Sequence, residues 1–229
     1  MIGYELMRVE KNICGRKCFI YENCDANALL IQPIDEHDLE LLDAEVEVIK
    51  GLTRTPFTLA AVLIEHWNHE LSPWEAPVVF GNENFGAGAA DTLSFISDAL
   101  LPTLMADNKM DVYIGGYSLA GLFSLWACYN TDIFRGVAAV SPSVWFHGWM
   151  EYMNSNAILA HKVYLSLGDK EEKTRNRIMA TVGQNIRNAY ELLRNTDTVT
   201  RCELEWNSGN HFMESEVRTA QGVAWLLNK

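Results

Sequence analysis

The segment from Asp111 to Ala127, DVYIGGYSLAGLFSLWA, constrains the fold of this chain more than any other segment. Its first four residues are β-prone, Gly115 and Gly116 interrupt them, and apolar residues at helical spacing follow from Leu119. This pattern predicts a strand, a sharp turn and a helix, with Ser118 at the turn. A serine at such a corner exposes its hydroxyl above the end of the sheet.

Small residues flank Ser118 and give a G-x-S-x-A motif, in which Ala120 stands one methyl group away from the usual second glycine. Glycine or alanine is required there because the strand and the helix approach each other closely. The backbone amide of Leu119 faces the space above the serine, so it is a candidate hydrogen-bond donor to an oxyanion. An alternative interpretation is a serine that caps a helix after a glycine turn, and the motif alone does not separate the two.

Composition excludes several classes of protein. The chain has 229 residues, of which 48% are hydrophobic, and no Pro/Gly/Ser-rich linker, which predicts a single domain over residues 1–229. Its net charge of −12 disfavours a surface for nucleic acid or an anionic membrane. No apolar run is long enough to span a membrane, and Met1–Glu10 lacks the apolar core of a secretory signal. We therefore expect a cytoplasmic protein.

The cysteines and histidines do not form a recognisable metal site. An odd number of cysteines fits reduced thiols better than a disulfide framework. No C-x-x-C pair occurs, and the neighbouring His66 and His69 lack a third ligand. The sequence therefore predicts neither a metal nor a cofactor. The cysteines are Cys14, Cys18, Cys24, Cys128 and Cys202.

Buried strands alternate with helices along the chain, which predicts an α/β fold with a mostly parallel central sheet and helices on both faces. Pro102 ends or kinks the second of the predicted helices. Besides the strand before Ser118, the predicted strands are Lys17–Tyr21, Ala28–Pro33, Phe57–Ile64, Gly136–Val140, Lys162–Leu167 and Arg201–Trp206. Besides the helix after Ser118, the predicted helices are Asp35–Gly51, Asp91–Met105, Arg177–Arg194 and Glu214–Leu227.

Chemically capable side chains follow three strands of this sheet. Ser118 follows one strand, an acidic cluster follows a later strand, and His211 follows the last. Because the carboxyl ends of parallel strands meet at one edge, we expect these groups to converge. A histidine can take the proton of a serine hydroxyl, and a carboxylate can orient the imidazole and stabilise its charged form. The order nucleophile, acid, base is that of the α/β-hydrolase scheme.

The chain resembles the putative esterase branch of the α/β-hydrolases, which is related to enterobactin-type esterases, feruloyl esterases and S-formylglutathione hydrolase. The segments that carry the resemblance are GGYSLAGLFSLWA around Ser118, EHWNHELSPWEAP, SLGDKEEKTRN and GNHF. The resemblance implies an α/β-hydrolase fold, Ser118 as nucleophile and His211 as base. It also implies that a small carboxylic ester or thioester is the substrate.

Three acids compete for the third catalytic position. Glu171 stands three residues after Gly168, the spacing found in many hydrolases of this fold, and is our first candidate. Asp169 is the second, because it lies nearer the strand end and aspartate is the commoner acid. Glu172 is the third, and a solvated surface charge is the better interpretation of that residue.

The loop after the strand Phe57–Ile64 should supply a second oxyanion donor, and the backbone amide of Trp67, or that of His66, is the candidate. Trp74 and Trp145 are our candidates for binding the substrate, within an apolar pocket, although core packing is the alternative for each tryptophan. The other aromatic residues considered for this pocket are Trp67, Phe85 and Trp149.

One other function competes with ester hydrolysis. The G-x-S-x-A departure and the ambiguous acid would also suit a catalytically silent α/β-hydrolase scaffold that binds a ligand or a partner protein. If the chain is a hydrolase, the short segment between the serine helix and the acid strand leaves no room for a large lid, so we expect an open site.

Overall fold

A computed structural model describes residues 6–105 and 109–228 and contains an eight-stranded sheet in the order β1-β2-β4-β3-β5-β6-β7-β8. The strands β3 to β8 run parallel, whereas β1 and β2 form an antiparallel hairpin that continues antiparallel onto β4. The predicted α/β fold with a mostly parallel sheet is therefore confirmed. The strands are β1 (Met7–Ile13), β2 (Arg16–Glu22), β3 (Ala28–Ile34), β4 (Phe57–Leu63), β5 (Asp111–Tyr117), β6 (Gly136–Val140), β7 (Lys162–Gly168) and β8 (Arg201–Asn207).

Helices cover both faces of the sheet and enclose two apolar cores. On one face, α1 and α8 pack against each other, while α5 and α7 lie on the other face. No helix in residues 6–105 or 109–228 combines the length and apolar character needed to cross a membrane. The helices are α1 (Glu36–Leu52), α2 (Trp67–Glu70), α3 (Ala89–Phe95), α4 (Leu101–Leu104), α5 (Leu119–Asn130), α6 (Trp149–Ser155), α7 (Val182–Arg194) and α8 (Ser215–Leu227).

The largely apolar sequence of β3 follows from burial on both faces. Leu29 and Ile31 belong to the core under α5, whereas Leu30 belongs to the core under α1 and α8. Successive side chains of a strand point to opposite faces, so a strand covered on both sides is apolar at most positions, and Gln32 is the buried polar exception in β3.

The helices differ from the predicted ones in three places. The predicted helix Asp91–Met105 consists of α3, a π-helical turn at Ile96–Leu100, and α4. Pro102 does not end this helix, which continues to Leu104, and the π-helical turn lies directly before the proline. The helix predicted from Arg177 begins instead at Val182, after a 3-10 turn at Met179–Thr181, and the short helices α2 and α6 were not predicted.

The turn between β5 and α5 is tightly packed. A Cβ on Gly116 would lie 2.7 Å from the Cβ of Ala120 and 2.9 Å from its carbonyl carbon. The alanine of the G-x-S-x-A motif therefore fits because the facing position has no side chain. A Cβ on Gly121 would likewise lie 2.9 Å from the carbonyl oxygen of Gly116.

One carboxyl group lies inside the core between the sheet and α1. Glu45 is buried, and its Oε2 accepts a hydrogen bond of 3.2 Å from Nε2 of Gln32 in β3. Burial raises the pKa of Glu45 well above its ordinary value of 4.5, since the charged form would lose its hydration. The nearby Asp38 has its pKa raised to about 6, mainly by burial as well.

We predict that Glu45→Gln stabilises the protein at neutral and alkaline pH. The pKa of Glu45 is higher in the folded state than in the unfolded state, so its protonated carboxyl group contributes fully to stability below about pH 4.5. This contribution is lost as the pH rises towards the pKa of Glu45 in the folded protein. Each pH unit in that window costs the wild type about 1.4 kcal/mol. Denaturant unfolding at pH 5 and pH 8 should show the advantage of the variant growing with pH. Glu47→Gln on the exposed face of α1 should show no such growth, and equal behaviour of the two variants would contradict the prediction.

We also predict that Gly116→Ala lowers the free energy of unfolding by about 1–3 kcal/mol, the usual cost of overpacking a tight contact. The matched control is Gly115→Ala, whose Cβ would meet Ala138 at the looser distances of 3.2 and 3.3 Å. Denaturant unfolding of both variants measures the difference, and a cost at Gly115 equal to or above that at Gly116 would contradict the close-approach argument.

Candidate active site

Ser118 lies directly after β5 in a backbone conformation that is unusual for a residue with a side chain, with φ of 57° and ψ of −119°. Three backbone hydrogen bonds hold it there. Its N–H donates to the carbonyl oxygen of Val140 at 3.0 Å, and its carbonyl oxygen accepts from the N–H groups of Leu122 and Ser143, both at 3.1 Å. Such strain persists only where the surroundings fix it, and it is common at functional sites.

His211 connects Ser118 to an acid. Its Nε2 lies 3.0 Å from Oγ of Ser118, and its Nδ1 lies 2.7 Å from Oε2 of Glu171. With a proton on Nδ1, the imidazole donates to the carboxylate and can accept the serine proton at Nε2. The structure thus brings together the three side chains that the sequence placed at strand ends.

Glu171 occupies the start of a 3-10 turn, Glu171–Lys173, just after β7. Its side chain is only 5% exposed. Its Oε1 accepts hydrogen bonds from Oγ of Ser141 at 2.7 Å and from the backbone N–H of Gly168 at 2.8 Å. These donors replace the water that the buried carboxylate has lost. Oε1 is bound by Ser141 and Gly168 and Oε2 by His211, so both oxygens of the carboxylate have a hydrogen-bond partner.

The other two candidate acids point elsewhere. Oδ1 of Asp169 accepts the backbone N–H of Gly209 at 2.8 Å, which fastens the turn that carries His211. Glu172 binds Arg187 through two hydrogen bonds of 2.8 and 3.1 Å, and these bonds lower the pKa of Glu172. Of the three acids, Glu171 is the one in contact with the imidazole.

Three further residues support this arrangement, and the sequence did not nominate them. Ser141, after β6, adopts a positive φ of 43° and binds Glu171. The hydroxyl of Tyr117 donates to the carbonyl oxygen of His211 at 2.8 Å. The buried side chain of Arg218 in α8 contacts the same region. One signal could have identified Ser141, because it ends the strand between those of Ser118 and Glu171.

Leu119 and Trp67, the two predicted oxyanion donors, are each the first residue of a helix, α5 and α2. Backbone N–H groups at that position have no acceptor within their own helix. His66, the alternative to Trp67, already donates its N–H to Oε1 of Glu70 at 2.8 Å. Glu70 in turn forms an ion pair of 2.6 Å with Arg16 of β2. This leaves the N–H of Trp67 as the better candidate of the two.

Trp74 and Trp145 make packing contacts, and their binding of substrate stays a prediction. The indole N–H of Trp74 donates to the carbonyl oxygen of His147 at 2.8 Å, and its ring stacks at 6.5 Å from that of Trp149. The ring of Trp145 is buried at 6.0 Å from that of Phe80.

Phe212 lies next to the candidate base and is almost free of protein contact. Its side chain is 89% exposed, and its ring stands edge-on to the imidazole of His211 at 5.4 Å. The backbone N–H of Phe212 donates to Oδ1 of Asn210 at 2.9 Å, which fixes the start of the side chain. An apolar ring in this position can contact a molecule bound at Ser118.

In the described part of the chain, no group of three or more His, Cys, Asp or Glu side chains has an arrangement that could hold a metal ion. The thiols of all five cysteines are free. Those of Cys18 and Cys128 are buried, and burial raises the pKa of the Cys18 thiol to about 11.

Solved structures of α/β serine hydrolases share this fold. The IroE-like serine hydrolase from Shewanella oneidensis matches with a TM-score of 0.76 and 14% identity, over 98% of this chain and 80% of that one. The siderophore hydrolase EstA from Aspergillus nidulans matches with a TM-score of 0.75 and 16% identity, over 99% and 95%. Enterobactin hydrolase IroE, in complex with DFP, matches with a TM-score of 0.67 and 13% identity, over 100% and 97%.

Among curated proteins, the chain is similar over a short stretch to glutamate 5-kinase 1 of Rhizobium meliloti (strain 1021). The two are 30% identical over 95 residues, which is 41% of this chain. The match spans only 24% of the length of that protein.

The model of a protein family described as "Putative esterase" matches residues 58–215. This range contains Ser118, Glu171 and His211, and it begins one residue inside β4. Since the match covers more than half of the chain, the chain belongs to this esterase family, and it has the α/β-hydrolase fold of the solved structures named above.

Proposed function

We propose that the protein cleaves a small carboxylic ester or thioester through an acyl-serine intermediate, with Ser118 as nucleophile, His211 as base and Glu171 as the acid that orients it. The observation that carries the proposal is the continuous series of hydrogen bonds from Oγ of Ser118 through both ring nitrogens of His211 to Glu171, at 3.0 and 2.7 Å. This is the geometry that a serine needs to become nucleophilic at neutral pH.

In the first half of the reaction, Oγ of Ser118 attacks the ester carbonyl carbon and its proton passes to Nε2 of His211. The carbonyl oxygen becomes an oxyanion, which the backbone N–H groups of Leu119 and Trp67 stabilise. The tetrahedral intermediate then expels the alcohol or thiol, which takes the proton from His211. Glu171 stabilises the imidazolium while it exists, without accepting the proton itself.

In the second half, water replaces the alcohol. His211 takes a proton from the water as its oxygen attacks the acyl carbon, and the same backbone donors hold the second oxyanion. Collapse of this intermediate releases the carboxylic acid and returns the proton to Oγ of Ser118. An acceptor alcohol in place of water would give acyl transfer with the same side chains.

Apolar surface beside the base supports a substrate with an apolar or aromatic group. The exposed ring of Phe212 lies beside the imidazole of His211. Two structurally similar proteins are called siderophore or enterobactin hydrolases, so esters of siderophores belong in a substrate panel beside simple aryl and alkyl esters.

We predict that Ser118→Ala and His211→Ala each lower the kcat of p-nitrophenyl acetate hydrolysis by about 10⁴-fold or more, because each removes a group that forms or breaks bonds. Glu171→Gln should lower kcat by about 10²–10⁴-fold, because the amide no longer holds the imidazole in the required tautomer. Steady-state kinetics with purified, folded variants measures these effects.

The matched control for Glu171→Gln is Glu172→Gln, which makes the same change at the next residue, on a partly exposed side chain paired with Arg187. Its rate should stay within about twofold of the wild type, as expected for a surface ion pair. Labelling of Ser118 by a fluorophosphonate probe separates the enzyme from a catalytically silent scaffold. Wild-type rates in the Ser118 and His211 variants, or no labelling of folded wild-type protein, would refute the proposal.

We predict that Phe212→Ala raises the KM for p-nitrophenyl esters about fivefold and leaves kcat nearly unchanged. A partly buried ring–substrate contact contributes about 1 kcal/mol, and its loss affects the ground state and the transition state equally. Leu52→Ala, which truncates an exposed apolar side chain at the carboxyl end of α1, shows whether the effect is specific to the residue beside His211. An unchanged KM for Phe212→Ala would exclude contact with the substrate.

A further inference from the structure

Arg218 is a buried cation directly behind the candidate active site. Its side chain is 2% exposed, and it contacts the end of β5, the turn after β7 and the loop after β8. Nη2 donates to the carbonyl oxygen of Ser208 at 2.8 Å, and Nη1 donates to that of Asn210 at 3.1 Å. Nη1 also lies 3.3 Å from the hydroxyl of Tyr117 and 3.5 Å from Oε1 of Glu171.

Two of these contacts fasten the turn that carries His211. The carbonyl oxygens of Ser208 and Asn210 flank Gly209, whose φ of +107° bends the chain sharply before the histidine. A guanidinium has donors in a fixed planar fork, so it can bind both carbonyl groups and hold their spacing. The hydroxyl of Tyr117, which Arg218 also contacts, donates to the carbonyl oxygen of His211 at 2.8 Å.

The remaining contact, between Arg218 and Glu171, joins two opposite charges. A buried guanidinium is costly unless an opposite charge lies close to it, and Glu171 is that charge. The carboxylate already contacts Ser141, Gly168 and His211, so Arg218 adds a full positive charge to a group that is otherwise bound by neutral donors. Arg218 therefore offsets the negative charge of the carboxylate whose other oxygen binds the imidazole.

We propose that Arg218 is a positioning residue of this active site, which fixes the His211 turn through its two carbonyl contacts and offsets the charge of Glu171. The inference deepens the proposed ester hydrolysis and rests on it for its catalytic part. Arg218 acts through His211 and Glu171 and touches no reacting atom. The titratable and charged groups around the imidazole are Glu171 after β7, Arg218 from α8, Tyr117 at the end of β5, and Asp169, whose carboxylate binds Gly209.

The test compares Arg218→Met, which removes the charge, with Arg218→Lys, which keeps it. The fluorophosphonate labelling rate should fall at low pH, where the imidazole is protonated, and this fall is the acid limb of the pH profile. In Arg218→Met, the acid limb should move to higher pH by about one pH unit, since the loss of a nearby positive charge favours the protonated imidazole. In Arg218→Lys, the acid limb should stay in place while the plateau rate falls about tenfold or more, because an ammonium lacks the planar fork that binds both carbonyl groups.

Arg187→Met is the matched control. It removes the same charge from the exposed arginine paired with Glu172, and both the acid limb and the plateau should stay at wild-type values. If Arg218→Met instead leaves the acid limb and the plateau rate per folded molecule unchanged, the inference is overturned. A loss of folded protein with an unmoved acid limb in the remainder would also overturn it, because that is the result of a purely structural role.

Two further measurements keep the test decisive. Should the Arg218 variants not fold, Tyr117→Phe removes the hydroxyl that joins Arg218 to His211, and an unchanged plateau rate would overturn the inference. Nuclear magnetic resonance titration of the His211 ring, assigned with His211→Ala, needs no activity. A higher titration midpoint of the His211 ring in Arg218→Met than in the wild type supports the charge effect, and an equal midpoint refutes it. This result does not depend on labelling, so it holds even if the wild type is not labelled and the proposed hydrolysis is refuted.

Discussion

The parallel pairing of β5, β6, β7 and β8 is the constraint on which the site depends. These neighbours pair in register, so their carboxyl ends lie at one edge of the sheet. Each contributes a residue there within a few positions of its end, namely Ser118, Ser141, Glu171 and His211. Ser118 and His211 are 93 positions apart in sequence, and this arrangement brings their side chains to 3.0 Å.

Absence of side chains matters as much at this edge as their presence. A Cβ on Gly168 would lie 2.5 Å from the carbonyl oxygen of Gly209, 2.9 Å from Oε1 of Glu171 and 3.2 Å from Nη1 of Arg218. The ends of β7 and β8 can approach closely only because this position is bare. The same logic applies beside Ser118, where Gly116 leaves the space that the methyl group of Ala120 fills. The departure from G-x-S-x-G is accommodated by packing across the turn.

The sequence predicted the strands and the strand-end side chains well, since burial on two faces and turn glycines leave local signals. Those signals favoured Glu171 over Asp169 as the acid, but they could not show which carboxylate contacts His211. In the structure, a 3-10 turn directs the side chain of Glu171 inward, whereas the carboxylate of Asp169 binds the N–H of Gly209. Arg218 had no local signal at all, because a single arginine in an apolar helix shows its partners only after β5, β7 and β8 have been assembled.

Two arginine–glutamate pairs join distant segments of the chain to the loops that carry proposed site residues. Arg218 and Glu171 lie behind the histidine turn, 3.5 Å apart. On the other side, Arg16 pairs with Glu70 at 2.6 Å, and Glu70 caps the N–H of His66 immediately before Trp67. Because Arg16 comes from β2, the antiparallel hairpin at the edge of the sheet does more than close the fold. Through this ion pair it holds the loop after β4, which carries the proposed oxyanion donor Trp67, and so links the N-terminal strands to the proposed site.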